Sequence, residues 1–298
     1  MFSACPEVCT PALAAARLLP RTPRGRSMAS TTKLAAERAI RMMHENLGDY
    51  FTIDDMANSA MFSKFHFTRI FQEVTGVSPG RFLSALRLQK AKQLLVSTRW
   101  NVADISVLVG YSSVGTFSTR FSKSVGLSPS HYRRHNNVIP HVLFDNPSSD
   151  RAAGTITGRL RYDPPASPSH TFVGAFPKRI LEGRPVSFTF VESGDSYVLP
   201  NVPEGEWYVM ACTGPQSRRS VEAYAEWGQA GAVGTHGLVS VQSGAVAEAD
   251  IWLRPRCLLD PPVLLMLFDE HPPGATPERF NRPLSPAAYR TTARLRSA

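Results

Sequence analysis

The sequence predicts a two-domain chain of α plus β class: an all-α tandem helix-turn-helix domain over residues 31–135, followed by an antiparallel β-sandwich over residues 154–268. Three observations carry this reading. One helical pattern occurs twice, fifty residues apart. After Gly154 the apolar period changes from that of helices to that of strands. Between Arg134 and Gly154 lies a stretch rich in Asn, Pro and Ser, which marks residues 136–153 as a linker. Residues 1–30 and 269–298 hold no sustained period and are expected as a disordered extension and a flexible tail.

At the start, Arg17, Arg21, Arg24 and Arg26 follow the short apolar run Leu13–Leu19. A secretory signal places its basic residues before the run, and this run is too short to span a bilayer. Met28, followed by ASTTKLAAERAI, reads as a natural start. The first helix is expected from Thr32 to Leu47, with Leu34, Ile40 and Met43 facing inward and Gly48-Asp49-Tyr50 breaking it. Thr52 then caps a supporting helix in TIDDMANSA.

The next helix carries Phe67, Ile70, Phe71 and Val74 at the spacing of a buried helical stripe. Gly76 supplies its left-handed stop, and Ser78-Pro79 opens a long linker helix from about Pro79 to Val96. At about 100° per residue, Phe65, Thr68, Arg69 and Gln72 fall on the exposed arc opposite Phe67. An aromatic, an Arg and an amide are odd for mere solvation; in a DNA major groove Arg reads guanine and an apolar ring meets a thymine methyl, so this arc suits that groove.

Phe67, Phe71, Gly76, Ser78, Pro79 and Phe82 recur as Phe117, Phe121, Gly126, Ser128, Pro129 and Tyr132. The supporting helix recurs at an offset of forty-nine, Ile53-Asp54-Asp55-Met56 matching Val102-Ala103-Asp104-Ile105. One extra residue therefore falls in the second unit's turn, around Gly110-Tyr111. Two units in register form a tandem reader. The charge agrees: Lys and Arg number 14 against 7 Asp and Glu over residues 31–135, but 15 against 16 over residues 136–298. A basic excess on the reader is what phosphate binding needs. Arg81, Arg87, Lys90 and Lys92 along the linker helix read either as phosphate contacts or as a solvated face. His66 and His131, on or near the DNA-facing turns, read as donors to phosphate. Leu94 and Trp100 read as core.

The motifs FSKFHFTRIFQEVTGVSP and ADISVLVGYSSVGTFSTRFSKSVGLSPSHYRR resemble those of the DNA-binding domain of AraC/XylS-type transcriptional regulators. The resemblance covers about a third of the chain, residues 33–135. It implies seven helices and two reading helices held one DNA turn apart. The family's DNA contacts fall on Phe65, Thr68 and Arg69, and on Val114, Gly115, Thr116 and Thr119. The second set is shorter than the family's usual longer polar or basic side chains. Lys64, His66 and Gln72 on the first helix, and Ser113 and Arg120 on the second, complete the candidate DNA-binding set. The resemblance implies a cytoplasmic transcription regulator of the activator kind. Its implied partners are double-stranded DNA and RNA polymerase, with a small-molecule effector and a second copy of the chain as further candidates and no membrane.

Strand-like alternation covers residues 154–162, 170–176, 186–191, 196–199, 206–212, 238–242 and 246–253, with one helical insert at residues 221–228. GTITGRL, YVLPNVPEGEWYVMA and VSVQSGAVAEADIWL together resemble a transthyretin-like or carboxypeptidase-regulatory sandwich. Pro203 to Gly205 is expected as the hairpin that returns Trp207 and Val209 to the core. Such regulatory domains are non-catalytic, so no protease is implied. Trp207, Tyr208, Tyr224, Trp227 and His236 are candidates either for the sandwich core or for an effector pocket. The rival is a constitutive DNA-binding protein whose sandwich only dimerises or recruits a partner.

No G-x-S-x-G elbow, phosphate-binding glycine loop or HExxH appears, so no enzyme is expected. Cys5, Cys9, Cys212 and Cys257 form no four-ligand spacing; they are expected as reduced thiols, with no metal and no cofactor.

Overall fold

A computed structural model describes residues 24–135, 153–163, 171–191, 194–213 and 231–265, with residues 24–30 described in backbone only. The linker, the helical insert, the tail, Cys5, Cys9 and the candidates Tyr224 and Trp227 lie outside the described residues.

The helical region comprises α1 (Arg24–Glu45), α2 (Ile53–Ser59), α3 (Lys64–Thr75), α4 (Pro79–Ser97), α5 (Val102–Leu108), α6 (Val114–Val125) and α7 (Pro129–His135). α1 begins at Arg24, inside the expected extension, rather than near Thr32. It buries Ala35, Ala36, Ala39, Ile40 and Met43, whose small residues allow close packing. Leu34 is 51% exposed, contrary to expectation. It lies about 120° round the helix from Ile40, off the buried stripe.

Local chemistry sets the helix ends. Thr52 and Asp55 form a reciprocal capping box at α2: the Thr52 amide donates to the Asp55 carboxylate at 2.7 Å, and the Asp55 amide to the Thr52 hydroxyl at 3.3 Å. These bonds from Thr52, backbone first, hold the Asp55 carboxyl below its ordinary pKa. α3 and α6 stop alike, at Gly76 (φ 81°) and Gly126 (φ 99°).

The sequence repeat is a repeat of packing as well. Phe67 meets Phe71 at 5.6 Å and 50°, and Phe71 meets Phe82 edge-on at 5.5 Å. Fifty residues on, Phe117 meets Phe121 at 5.6 Å and 53°, and Phe121 meets Tyr132 edge-on at 5.6 Å. The turns match too. Met61 N–H donates to Asn58 O and Phe62 N–H to Ala57 O, just as Gly110 N–H donates to Val107 O and Tyr111 N–H to Ser106 O. Met61 and Gly110 both have positive φ. Only the second must be glycine: a Cβ there would lie 2.7 Å from Leu47 O and from the Arg87 guanidinium. The extra residue of the second unit is therefore Ser112, inserted after the shared turn and before the cap Ser113.

α4 is buried on nearly every side, by Phe82, Leu83, Leu86, Leu88 and Leu95 among others. Its basic residues are mostly structural, neither phosphate contacts nor a solvated face. Arg87 donates to Leu47 O, Asp49 O and Gly110 O at 2.9–3.0 Å. Lys92 is 3% exposed and donates to Leu264 O and Leu265 O at 3.3 and 3.2 Å, with its ammonium 5.7 Å from the Tyr132 ring centre. Arg81 pairs with Glu182. Lys90 is exposed. Leu94 is buried and Trp100 packs against the helical core.

The strands are β1 (Ala153–Tyr162), β2 (Thr171–Phe176), β3 (Ser187–Val191), β4 (Ser196–Pro203), β5 (Gly205–Thr213), β6 (Ala232–Val241), β7 (Val246–Glu248) and β8 (Ile251–Pro255). They form one sheet in the order β3-β2-β5-β6-β8-β1-β4, with β7 also on β1. β7 and β8 run parallel to β1, while the other pairs are antiparallel. The two ends of the path meet where Ser187 on β3 donates to Pro200 O on β4 at 2.6 Å. The sheet is therefore barrel-like, and the expected sandwich of two facing antiparallel sheets is not what the strands form.

Pro203–Gly205 likewise makes no hairpin, because β4 pairs with β1 whereas β5 pairs with β2 and β6. Strand alternation tells which side chains face inward, and it is silent on which strand lies next door. The expected strand at residues 246–253 is broken at Ala249-Asp250, where the Asp250 carboxylate accepts from Arg159 N–H at 2.8 Å.

The helical core crosses the domain boundary. Ile180, Cys257, Leu259 and Leu264 of the strand region belong to the same buried cluster as Phe82 and Phe121. The segment after β8 is folded back by Arg254, which holds Asp260 with two bonds of 2.8 and 2.7 Å. Burial alone would raise the Asp260 carboxyl, but those bonds, the Arg254 charge and the Cys257 N–H hold it below its ordinary pKa. Cys212 and Cys257 are buried thiols, and burial pushes Cys212 up to about 12.

Candidate nucleic-acid interface

A reading helix needs one face locked into the protein and the other offered outward. On α3, Phe67, Ile70 and Phe71 are buried, whereas Lys64, Phe65, His66, Arg69 and Gln72 are exposed and Thr68 is half-buried. Phe65 is 88% exposed, a costly position for a phenyl ring in water. Glu73 is exposed on the same helix and marks an acidic limit to the basic surface. Lys64 is not a free cation, since its ammonium lies 2.7 Å from the Asp54 carboxylate. His66 packs edge-on against Phe62 at 5.0 Å, which fixes the ring's direction.

Two exposed apolar residues of the first unit were missed by sequence reasoning. Met61, in the left-handed turn before α3, is 84% exposed, and Tyr50 precedes the α2 cap. The available signal was the match of Met61 to Gly110: a bulky residue where the partner unit needs glycine.

On α6, Val114, Gly115, Thr116 and Thr119 are exposed. Ser113 caps the helix, accepting from Thr116 N–H at 3.1 Å and bonding the Thr116 hydroxyl at 2.8 Å. Ser118 and Ser122 are half-buried. Arg120 departs from expectation. It is half-buried, and its Nε donates to Ser84 Oγ at 3.3 Å, so it anchors α6 to α4 and leaves the outer arc. The cation that α6 keeps on this arc is Lys123, exposed in its last turn, four residues after Thr119. His131, at the start of α7, is exposed.

Gly115 is an informative position. A Cβ built there would meet nothing within 4 Å, so the fold itself does not require glycine. Gly115→Ala is expected to raise stability by up to about 0.5–1 kcal/mol, read as a higher melting temperature. If α6 approaches a groove closely at this point, the same substitution is expected to weaken DNA binding, because an added Cβ would stand between backbone and DNA. Unchanged affinity would remove Gly115 from the interface.

The proposed effector side chains do not share one environment. Trp207 on β5 is half-buried and its indole N–H donates to Pro203 O at 2.7 Å; His236 on β6 is exposed, with Nδ1 2.9 Å from Asp250 O. Tyr208 packs against the second strand-region core, which includes Phe172 and Phe176. Among the described residues no group of three or more His, Cys, Asp and Glu could hold a metal ion, and no helix is long and apolar enough to cross a membrane.

A family model described as a helix-turn-helix domain matches residues 56–135. The HTH-type transcriptional activator AarP of Providencia stuartii is 32% identical over 102 residues, covering 34% of this chain and 76% of AarP. The transposon Tn10 TetD protein of Escherichia coli is 34% identical over 93 residues, 31% of this chain and 67% of TetD. The lactose operon transcription activator of Staphylococcus xylosus is 32% identical over 102 residues, 34% of this chain but only 37% of that activator's length. The similarity to these relatives thus takes in about a third of this chain.

Proposed function

This chain belongs to the AraC-type family of helix-turn-helix transcription regulators, and from that premise we propose that it reads DNA sequence with α3 and α6 in two adjacent major grooves. The observation that carries the reading is the doubled unit, in which the same turn, glycine stop and aromatic trio are built twice. On each reading helix the buried aromatic face leaves an outer arc for base edges. Arg69, Phe65, Thr68 and Gln72 serve the first half-site; Val114, Gly115, Thr116 and Thr119 serve the second.

Regulation of transcription, the role in the relatives' names, extends to this chain within the same proposal. RNA polymerase is then the protein partner, the cytoplasm is the place of action, and a second copy of the chain is a candidate partner. A footprint of the full chain on a site selected from random DNA should protect about two helical turns, with groove centres roughly 34 Å apart. Affinity should fall steeply with salt, as phosphate neutralisation requires. Protection confined to one groove would overturn the two-reader proposal.

Control by a small molecule is a second reading. It is supported by the strand region's place in the reader's core through Ile180, Cys257, Leu259 and Leu264, which gives a bound effector a route to α4. Trp207 and His236 are the described candidates for such a site. A compound that raises the melting temperature and also shifts DNA affinity supports control; stabilisation without a shift favours the constitutive alternative.

A further inference from the structure

The segment between β2 and β3, residues 177–186, lies across the ends of both reading helices. Arg179 covers the C-terminal stop of α3, so that a Cβ at Gly76 would lie 2.9 Å from its Cδ. A cation at that end also suits the helix dipole. Ile180 is buried in the helical core. Gly183 N–H donates to Ser124 O at 2.7 Å, satisfying one of the carbonyls that the end of α6 leaves without an intrahelical partner. Gly183 has φ 73°, and a Cβ there would press on Lys123 O at 3.0 Å.

Glu182 sits at the centre of this segment. One carboxylate oxygen pairs with the Arg81 guanidinium in the first turn of α4, and the other accepts from the Ser124 hydroxyl near the end of α6 at 3.2 Å. Ser124 is itself buried. The Arg81 Nε is buried without a partner among the described residues, so its pairing with Glu182 is what holds this guanidinium in place. The helical region ties α6 to α4 through Arg120 and Ser84. Beside the buried Phe117 and Phe121, that bond is a polar tie at the middle of α6; the Glu182 bridge adds another at its C-terminal end.

We propose that Glu182 is a positioning residue for the second reading helix: by bridging Arg81 and Ser124 it fixes the angle of α6 on α4, and hence the spacing and phase of the two grooves that the chain reads. This rests on the DNA-binding reading above. It makes a residue outside the helical domain a determinant of which operators fit. One base pair of spacing turns the second half-site by about 35°, so a rigid pair of readers discriminates sharply between spacings.

The test uses the full chain and a two-half-site duplex selected by the wild type. Duplexes with one base pair added or removed between the half-sites, and one bearing the first half-site alone, complete the set. The wild type should lose at least about tenfold in affinity at either altered spacing, because the second contact no longer closes on the first. Glu182→Ala should flatten this dependence: about 3–10-fold weaker at the selected spacing, unchanged at the altered ones, and unchanged on the single half-site. The exchange Glu182→Arg with Arg81→Glu restores the ion pair and should recover spacing discrimination, which guards against a variant that merely unfolds.

If Glu182→Ala keeps the wild-type spacing profile, the proposal is overturned. Equal weakening on every duplex, the single half-site included, overturns it as well and leaves Glu182 a stabilising residue only. A wild type that enriches no site would instead overturn the DNA-binding reading, and this proposal with it.

Discussion

Replacing Arg87 with Leu should lower the unfolding free energy by about 3–5 kcal/mol, the cost of stranding several charge-assisted acceptors at once. Arg87 lies midway along α4 and reaches three backbone carbonyls: Leu47 O and Asp49 O beyond the end of α1, and Gly110 O in the turn of the second unit. Burial draws the guanidinium below its ordinary pKa, with Tyr111 opposing, so the site takes a real desolvation cost and holds the charge with these carbonyls. Arg87→Lys should recover only part of the loss, because one compact ammonium cannot span three acceptors held by a planar fork. Denaturant midpoints compared at equal slope measure it. A loss under about 1 kcal/mol would mean that the carbonyls find other partners.

The second large effect separates the two readers. Arg69→Ala should reduce discrimination at its base pair by about 1–3 kcal/mol, roughly 5–150-fold, because the proposed forked Arg–guanine contact would be lost. Thr119→Ala should weaken binding modestly and across sequences alike. Arg69 is exposed on the outer arc of α3, while the first two turns of α6 present short side chains and its Arg120 turns inward toward Ser84. Site selection with both variants decides the matter. If Thr119→Ala erases more sequence information than Arg69→Ala, the roles are reversed.

The helical region was legible because its information is local. Glycine stops, caps and a four-residue aromatic spacing each act within one or two turns, and the duplication allowed one unit to check the other. Even the extra residue was placed to within two positions, at Ser112 rather than at Gly110-Tyr111. The strand region was legible only in part. Alternation located the strands, but partners such as Ile156 and Leu199, or Leu160 and Ile251, depend on distant pairing that no local pattern encodes. The basic residues of α4 were misread for the same reason. Lys92 and Arg81 look like surface charge in sequence, and their acceptors lie about a hundred residues or more away, at Leu264, Leu265 and Glu182. The tie of Arg120 to Ser84 was not legible, because a guanidinium on a helix can swing either way and its acceptor lies thirty-six residues away.

Lys92 also carries a consequence for the order of events on the ribosome. Its acceptor at Leu264 is made 172 residues later than Lys92 itself. At about 5–20 residues per second, the helical bundle waits roughly 10–35 s with that ammonium in water before its partner strand of chain exists. Throughout that interval the apolar surface that Ile180, Cys257, Leu259 and Leu264 will cover also stands incomplete. The nascent chain can therefore form both helix-turn-helix units, already joined by Arg87, before the segment around Leu264 exists to dock on α4.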